Sequence, residues 1–335
     1  MFKDPMYSND SADKALLPGL QNMTRRQTLM AGAGLLAATA IPTSASHASS
    51  LAGNDVGLIA ALKGRYTIRQ LSTGRYVDAH ETANQDFGLV TRPWQNNNTQ
   101  RWLLDPVGHI FTIQQASNGR YVDAHETANQ DFRLVTRTWQ NNDTQRWVAI
   151  HLGNNRYTLQ QLSNGRYVDA HESANQDFRL VTRPWQNDNT QRWTILHLGN
   201  NRYTLRQLSS GRYVDAHETA TDDYRLVTRP AQNNTTQFWI LKSIGRVHTI
   251  RQASNGRYVD AHESANQDFG LVTRPWQSND TQRWVTIPLG NDVYTLRQLS
   301  NRRFVDAHEA SNLDFRLVTR PVQNNTTQRW IIRPS

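Results

Sequence analysis

The chain has 335 residues, enough for about two domains, with 37 basic and 28 acidic side chains and a formal net charge of +9. Hydrophobic residues make up 37% and charged residues 19%, which excludes a disordered chain, and 18 glycines with 11 prolines exclude a collagen-like one. Cysteine is absent, which excludes a disulfide scaffold, a thiolate zinc site and a cysteine nucleophile.

Residues 1–48 read as an export leader. Arg25-Arg26 precede an apolar stretch from Leu29 to Ile41, and Ser46 and Ala48 supply small residues at the −3 and −1 positions of a cleavage site. This is the layout of a twin-arginine signal, so the expected destination is the periplasm or the outside. The apolar stretch is short for a membrane span, and no later run approaches the required ~20 residues. A linker, 49–61, follows.

From residue 62 one unit is written six times. Its Val-Asp-Ala-His-Glu segment places aspartate at 78, 123, 169, 215, 260 and 306, and its second anchor ends at Trp102, Trp147, Trp193, Trp239, Trp284 and Trp330. A constant period of 45 or 46 residues between successive aspartates marks a repeat architecture. Each unit reads as four short strands, as in Tyr157–Leu162, Arg166–His171, Phe178–Arg183 and Gln191–Leu196 of the third copy, with a hairpin turn at Asn164-Gly165. No segment carries a sustained 3.6-residue period, so no helix is expected after the leader. Six such units fit a six-bladed β-propeller or two tandem β-trefoils of three units each. Copies 2 and 5 share Gly108-His-Ile-Phe-Thr-Ile and Gly245-Arg-Val-His-Thr-Ile, and the spacing series repeats with a phase of three. That favours trefoils at 62–198 and 199–335.

The Gln-x-Trp motif, Gln100-Arg-Trp102 and its five counterparts, with Gly74-Arg-Tyr-Val-Asp78 upstream, resembles the ricin-type lectin β-trefoil across all six repeats. The resemblance implies an all-β fold and carbohydrate binding. The six Gln-x-Trp tryptophans are expected in the core, where each buries roughly 150–250 Å².

The resemblance also implies that the aspartate ending the second strand accepts hydrogen bonds from vicinal sugar hydroxyls; the competing reading is an aspartate holding loop amides. The family's stacking aromatic departs from its pattern here: Val-Thr-Arg-Pro-Trp or its equivalent supplies Trp94, Trp139, Trp185 and Trp276, whereas copies 4 and 6 carry Ala231 and Val322. Four copies are therefore the expected binding sites. They comprise Asp78, His80, Trp94 and Asn97; Asp123, His125, Trp139 and Asn142; Asp169, His171, Trp185 and Asp188; and Asp260, His262, Trp276 and Asn279. Asp78 and His80 share a strand face, so the histidine is expected to orient the aspartate, to touch ligand, or, with Glu81, to help bind a cation. Arg92 and its counterparts on the third strand are expected either to clamp an acidic sugar substituent or to line a solvated face.

The expected partners are glycans or polysaccharide, with no cofactor, no resident metal, no nucleic acid and no membrane span. An enzyme is disfavoured, because Asp78 and Glu81 recur in six near-identical settings where acid–base catalysis needs two carboxylates in different environments. The alternative is a non-catalytic module that binds a protein partner.

Overall fold

The computed structural model describes residues 61–335. The leader and most of the linker lie outside the described residues.

Each repeat forms four strands, and the third copy is representative: Arg156–Gln161, Tyr167–Ala170, Leu180–Arg183 and Trp193–Gly199. The two polar loops between them each contain a three-residue 3-10 turn, here Ala174–Gln176 and Asn189–Gln191. The second and third strands pair in register, Asp169 opposite Val181, so that alternate residues point into the core. Val168, Ala170 and Leu180 are buried from this hairpin, and Trp193 and Ile195 from the fourth strand.

Two of the fourth strands do not end where the others do. Trp102–Gln115 and Trp239–Gln252 each run for 14 residues, straight through into the first strand of the next repeat. They pair with one another antiparallel from Trp102 opposite Gln252 to Gln115 opposite Trp239, with register shifts near Ser243–Gly245 and Val247–His248. One half of this ladder belongs to one barrel and the other half to the second. Gly108–Phe111 pairs with Trp147–Ile150, Trp193 with Tyr157, and Tyr203 with Trp239. These pairs close a six-stranded barrel from repeats 2, 3 and 4. Gly64–Tyr66 pairs with Trp102–Leu104, Tyr66–Gln70 with Trp330–Pro334, and Arg246–His248 with Trp284–Thr286. These close a second barrel from repeats 5, 6 and 1.

The cores follow the same partition. Trp147, Trp193 and Trp239 sit in one cluster with residues 111–241 only. Trp102, Trp284 and Trp330 sit in another that draws on Ile68–Leu104 and Ile250–Ile332. All six indoles are fully buried, and each Nε1 donates to the carbonyl of the second-strand valine, Val77 to Trp102 for instance, at 3.0–3.2 Å. At about 25 cal/mol per Å² of apolar area, each indole contributes roughly 4–6 kcal/mol of gross burial energy.

The hairpin caps repeat the grouping. The amides of Thr136, Thr182 and Thr228 donate to the carbonyls of Tyr224, Phe132 and Phe178, and those of Thr91, Thr273 and Thr319 to Phe315, Phe87 and Phe269. Each set is a closed three-membered ring. The fold is thus two β-trefoils, as expected, but the boundary expected at 198/199 is wrong. One trefoil is continuous, repeats 2 to 4; the other is assembled from both ends of the described chain.

The physical reason is local. Repeats 2, 3 and 5 are followed by Leu-Gly-Asn-Asn or Leu-Gly-Asn-Asp, whose Asn154-Asn155, Asn200-Asn201 and Asn291-Asp292 pairs take the left-handed conformation of a tight hairpin. Repeats 1 and 4 are followed instead by Asp105-Pro-Val-Gly108 and Lys242-Ser-Ile-Gly245, which lack that turn, and the strand continues. Gly108 lets this strand lie close against its neighbour at the junction: a Cβ there would lie 2.6 Å from Ile150 Cδ1, 2.8 Å from the Ala149 carbonyl and 3.4 Å from Val247 Cβ of the other barrel. Ile110, Val148, Ile150, Leu162, Val247, Val285 and Leu299 form a third buried cluster at this junction.

Candidate functional site

The site is built from the second strand outward. In every copy the strand aspartate is buried, 0–2% exposed. Its Oδ1 accepts the following alanine amide at 2.7–2.8 Å. In five copies its Oδ2 accepts the Gln-x-Trp glutamine, Gln100 Nε2 to Asp78 at 3.2 Å being one. In the second copy Asp123 Oδ2 has no partner and is buried. The same glutamine donates to the carbonyl of residue 93 and accepts the amide of Gln95, which pins the loop beneath the tryptophan. The aspartates therefore form the floor of the site and hold backbone, the competing role given to them above.

The histidines do not orient those aspartates. His80 Nε2 lies 2.8 Å from Asp314 Oδ2, on the first loop of repeat 6. The other five make the equivalent contact at 2.6–3.0 Å: His125 with Asp223, His171 with Asp131, His217 with Asp177, His262 with Asp86 and His308 with Asp268. In five copies the third-strand arginine faces the other nitrogen, Arg92 Nη2 at 3.3 Å from His80 Nδ1 and Arg274 at 3.1 Å from His262 Nδ1, whereas in the fourth Arg229 Nη2 lies 3.2 Å from His217 Nε2. A guanidinium can only donate, so in those five copies Nδ1 accepts and Nε2 carries the proton offered to the neighbouring carboxylate.

Two further contacts run between repeats. Glu81 accepts the Ser254 hydroxyl and, at 3.2 Å, Asn255 Nδ2; Glu126, Glu172, Glu218, Glu263 and Glu309 hold the corresponding serines of the next repeat in their rings. Glu81 is thus committed to a turn, and no cluster of three metal-ligating side chains exists among the described residues. Arg75 stacks over the Phe315 ring at 3.8 Å while donating to the Thr91 carbonyl, and all six copies repeat the stack at 3.7–3.8 Å. The partners Asp86, Phe87 and their counterparts escaped the sequence reading. Their signal was recurrence in all six copies without a partner nearby in sequence.

The tryptophans of the third-strand ends are the exposed part. Trp94, Trp139, Trp185 and Trp276 are 44–47% exposed, so none is a satellite core residue. Each leans on the tyrosine that opens the second strand, Tyr76, Tyr121, Tyr167 or Tyr258, with ring centroids 4.9–5.0 Å apart and planes tilted by 49–50°. The tilt braces one face of the indole and leaves the other to solvent. Ala231 and Val322 offer no ring in copies 4 and 6.

The loop residues Asn97, Asn142, Asp188 and Asn279 hold the second 3-10 turn. Each accepts a threonine hydroxyl two residues on, Thr99 to Asn97 at 2.7 Å, and the Asn97, Asn142 and Asn279 side chains donate to the preceding glutamine. In repeat 5 the parts converge on an open groove of about 570 Å³, with Asp260 at its floor and His262, Arg274, Gln277 and Asn279 among its walls. Its lining supplies fixed donors and acceptors that suit a polyhydroxylated ligand, while Trp276, between Pro275 and Gln277 in sequence, is not part of that lining.

A family model described as ricin-type beta-trefoil lectin domain-like matches residues 59–135, 106–183, 143–232, 189–270 and 235–315. No curated protein matches the chain. Among solved structures, the designed three-fold symmetric protein ThreeFoil is 18% identical, with 40% of this chain and 97% of that one covered and a TM-score of 0.37. A lectin from Polyporus squamosus, solved with a sialylated influenza-binding epitope, is 18% identical over 43% of this chain and 51% of its own, TM-score 0.38. The ricin B-like lectin of Macrolepiota procera, solved with lactose, is 16% identical over 41% and 97%, TM-score 0.33. With the family model matched over most of its length, the chain belongs to the ricin-type β-trefoil lectin domain-like family.

Proposed function

We propose that the protein is an exported, non-catalytic lectin that binds glycans at four tryptophan-bearing faces, those of repeats 1, 2, 3 and 5. The observation that carries this reading is the set of four half-exposed indoles, each braced by a tyrosine. An unbraced exposed indole would lose more side-chain freedom on binding; bracing removes part of that cost beforehand. The histidine, arginine and loop side chains supply the polar contacts, and the buried aspartate fixes their backbone. Weak sites held at set distances on one rigid body gain by avidity on a multivalent glycan. The leader-like segment supports export.

The test is a glycan array with the chain from residue 49, followed by a variant with Trp94, Trp139, Trp185 and Trp276 all replaced by alanine. Discrete bound glycans are expected, with binding lost in the fourfold variant while its unfolding midpoint stays within a few degrees. A blank array with folded protein, or full binding by the fourfold variant, refutes the reading and favours a protein partner.

A further inference from the structure

The two barrels meet along a pseudo-twofold arrangement that sets repeat 3 against repeats 5 and 6. Between them lies a cleft of about 810 Å³ lined by Tyr167, Trp185, Gln160, Asp280, Arg283 and Arg302. Its symmetry mate, which Arg302 also borders, sets repeat 6 against repeat 2 and is differently equipped. Phe304 and Val322 stand where Tyr167 and Trp185 stand in the first, and the Arg297 guanidinium lies 2.6 Å from the Asp143 carboxylate across it.

Polar groups along the first cleft are ordered. Tyr167 Oη donates to Asp280 Oδ2 at 3.1 Å, and Gln160 Nε2 reaches the same oxygen at 3.3 Å. Burial and the Asp280 charge push the Tyr167 phenol up, so it stays a neutral donor. Arg283 Nη1 holds the other Asp280 oxygen at 2.7 Å. Gln160 is buried and its Oε1 has no partner.

Arg302 is the exception in this set. It occupies the hairpin-turn position that is glycine in the other five repeats, and it takes their left-handed conformation, φ 63° against 69–75° for Gly74, Gly119, Gly165, Gly211 and Gly256. That backbone is unfavourable for any residue with a Cβ. The side chain crosses to the opposite barrel, where its Nη1 would lie 2.8 Å from a Cβ at Gly165. Burial and the neighbouring Arg297 charge hold its pKa below the usual arginine range. No hydrogen bond or ion pair of its guanidinium occurs among the described residues. A strained, partly buried cation with Glu126 in its field but no ion pair among the described residues, bordering a cleft with an exposed indole, asks for an anion attached to a ring.

We propose that this cleft extends the repeat 3 face into a single acidic-oligosaccharide site, in which Trp185 stacks on one sugar and Arg302 binds the sulfate or carboxylate of the chain. The proposal rests on the reading of Trp185 as a sugar platform and adds the anion and the second barrel to it.

The test is calorimetric titration of the full chain with a heparin-derived hexasaccharide, its desulfated counterpart, an oligogalacturonate and a neutral glycan that binds the repeated faces. The variants are Arg302→Gly, which restores the glycine of the other repeats, and Arg156→Ala, which removes an exposed charge from a residue near the cleft that does not line it. Wild type is expected to prefer the sulfated or the uronate ligand over the desulfated one. Arg302→Gly should weaken that binding about tenfold or more, the scale of a lost charge-assisted hydrogen bond, with thermal stability equal to or above wild type. Arg156→Ala and neutral-glycan binding should be unchanged. Equal acidic-glycan binding by Arg302→Gly, equal loss in Arg156→Ala, or no wild-type preference for an acidic ligand overturns the cleft site alone. Acidic binding that depends on Arg302 without any neutral-glycan binding overturns the repeated-face reading instead.

Discussion

Cutting the chain at the boundary suggested by its repeat count should produce a fragment that does not fold. Residues 62–198 hold repeats 1 to 3, yet Trp102 belongs to one core and Trp147 and Trp193 to the other. The fragment strips the continuous trefoil of Tyr203, Leu205, Leu226, Trp239 and Leu241, all buried. At about 2 kcal/mol for each of the four smaller side chains and about 5 kcal/mol for the indole, the loss is about 13 kcal/mol, comparable with the roughly 5–15 kcal/mol that holds a whole domain folded. Residues 107–244 keep all three tryptophans of that core and its three-membered cap ring. The 107–244 fragment should therefore unfold cooperatively on heating and run as a monomer on size exclusion. The 62–198 fragment should aggregate or melt without cooperativity, with red-shifted tryptophan fluorescence. A cooperative, monomeric 62–198 fragment beside an unfolded 107–244 fragment would refute the reasoning. It would mean that Asp105-Pro106-Val107 can form the hairpin its sequence lacks and that the near-identical repeats re-pair.

Two smaller predictions follow from the buried polar groups. His248 is 1% exposed at the junction, its Nδ1 lies 2.9 Å from Thr286 Oγ1, and burial with the Arg246 charge depresses its pKa from 6.5 to about 4. The unfolded chain therefore binds more protons between about pH 4 and 6.5, so His248 contributes up to about 3 kcal/mol that is present above pH 6.5 and lost as the pH falls toward 4. Urea unfolding across that window should show the loss in wild type and a shallower slope in His248→Gln; equal slopes would remove the assignment. Asp169→Ala strips the Ala170 amide and Gln191 Nε2 of an acceptor, and should destabilise by about 1–3 kcal/mol by chemical denaturation. A neutral result there would show that the buried aspartates do not hold the loops.

The strands and the hairpin turns could be read from residues 62–335 because each depends on neighbours within one repeat, and the tryptophan cores because the same indole recurs in every copy. Tyr157–Leu162 was expected and Arg156–Gln161 is found; the Asn164-Gly165 turn was expected and Gly165 sits at φ 74°. The grouping of repeats was present but misread. The feature shared by copies 2 and 5 marks the absence of a hairpin before each, not the start of a second set of three. The histidine partners were hidden for a different reason. Every copy carries the same His and the same Asp, so six donors and six acceptors allow many pairings, and only the closed rings select one. His262 finds Asp86 across 176 positions, whereas His171 finds Asp131 across 40. The tryptophan platforms were legible as residues but not as exposed ones, since Ala231 and Val322 in the same position suit a core equally well.

The junction also sets an order of events. Gly64–Gln70 is made about 260 residues before its ladder partner, Trp330–Pro334, and the Arg65 carbonyl accepts the Ser335 amide at 3.1 Å. Repeat 1 must wait through the synthesis and closure of a complete neighbouring barrel before its own partners exist. Contacts this far apart in sequence are slow to form, and during the wait Ile68, Val77 and Trp102 have no core to enter. A ribosomal product that stops short of Trp330 leaves that apolar surface open, so this barrel reports on whether translation passed Trp330–Pro334.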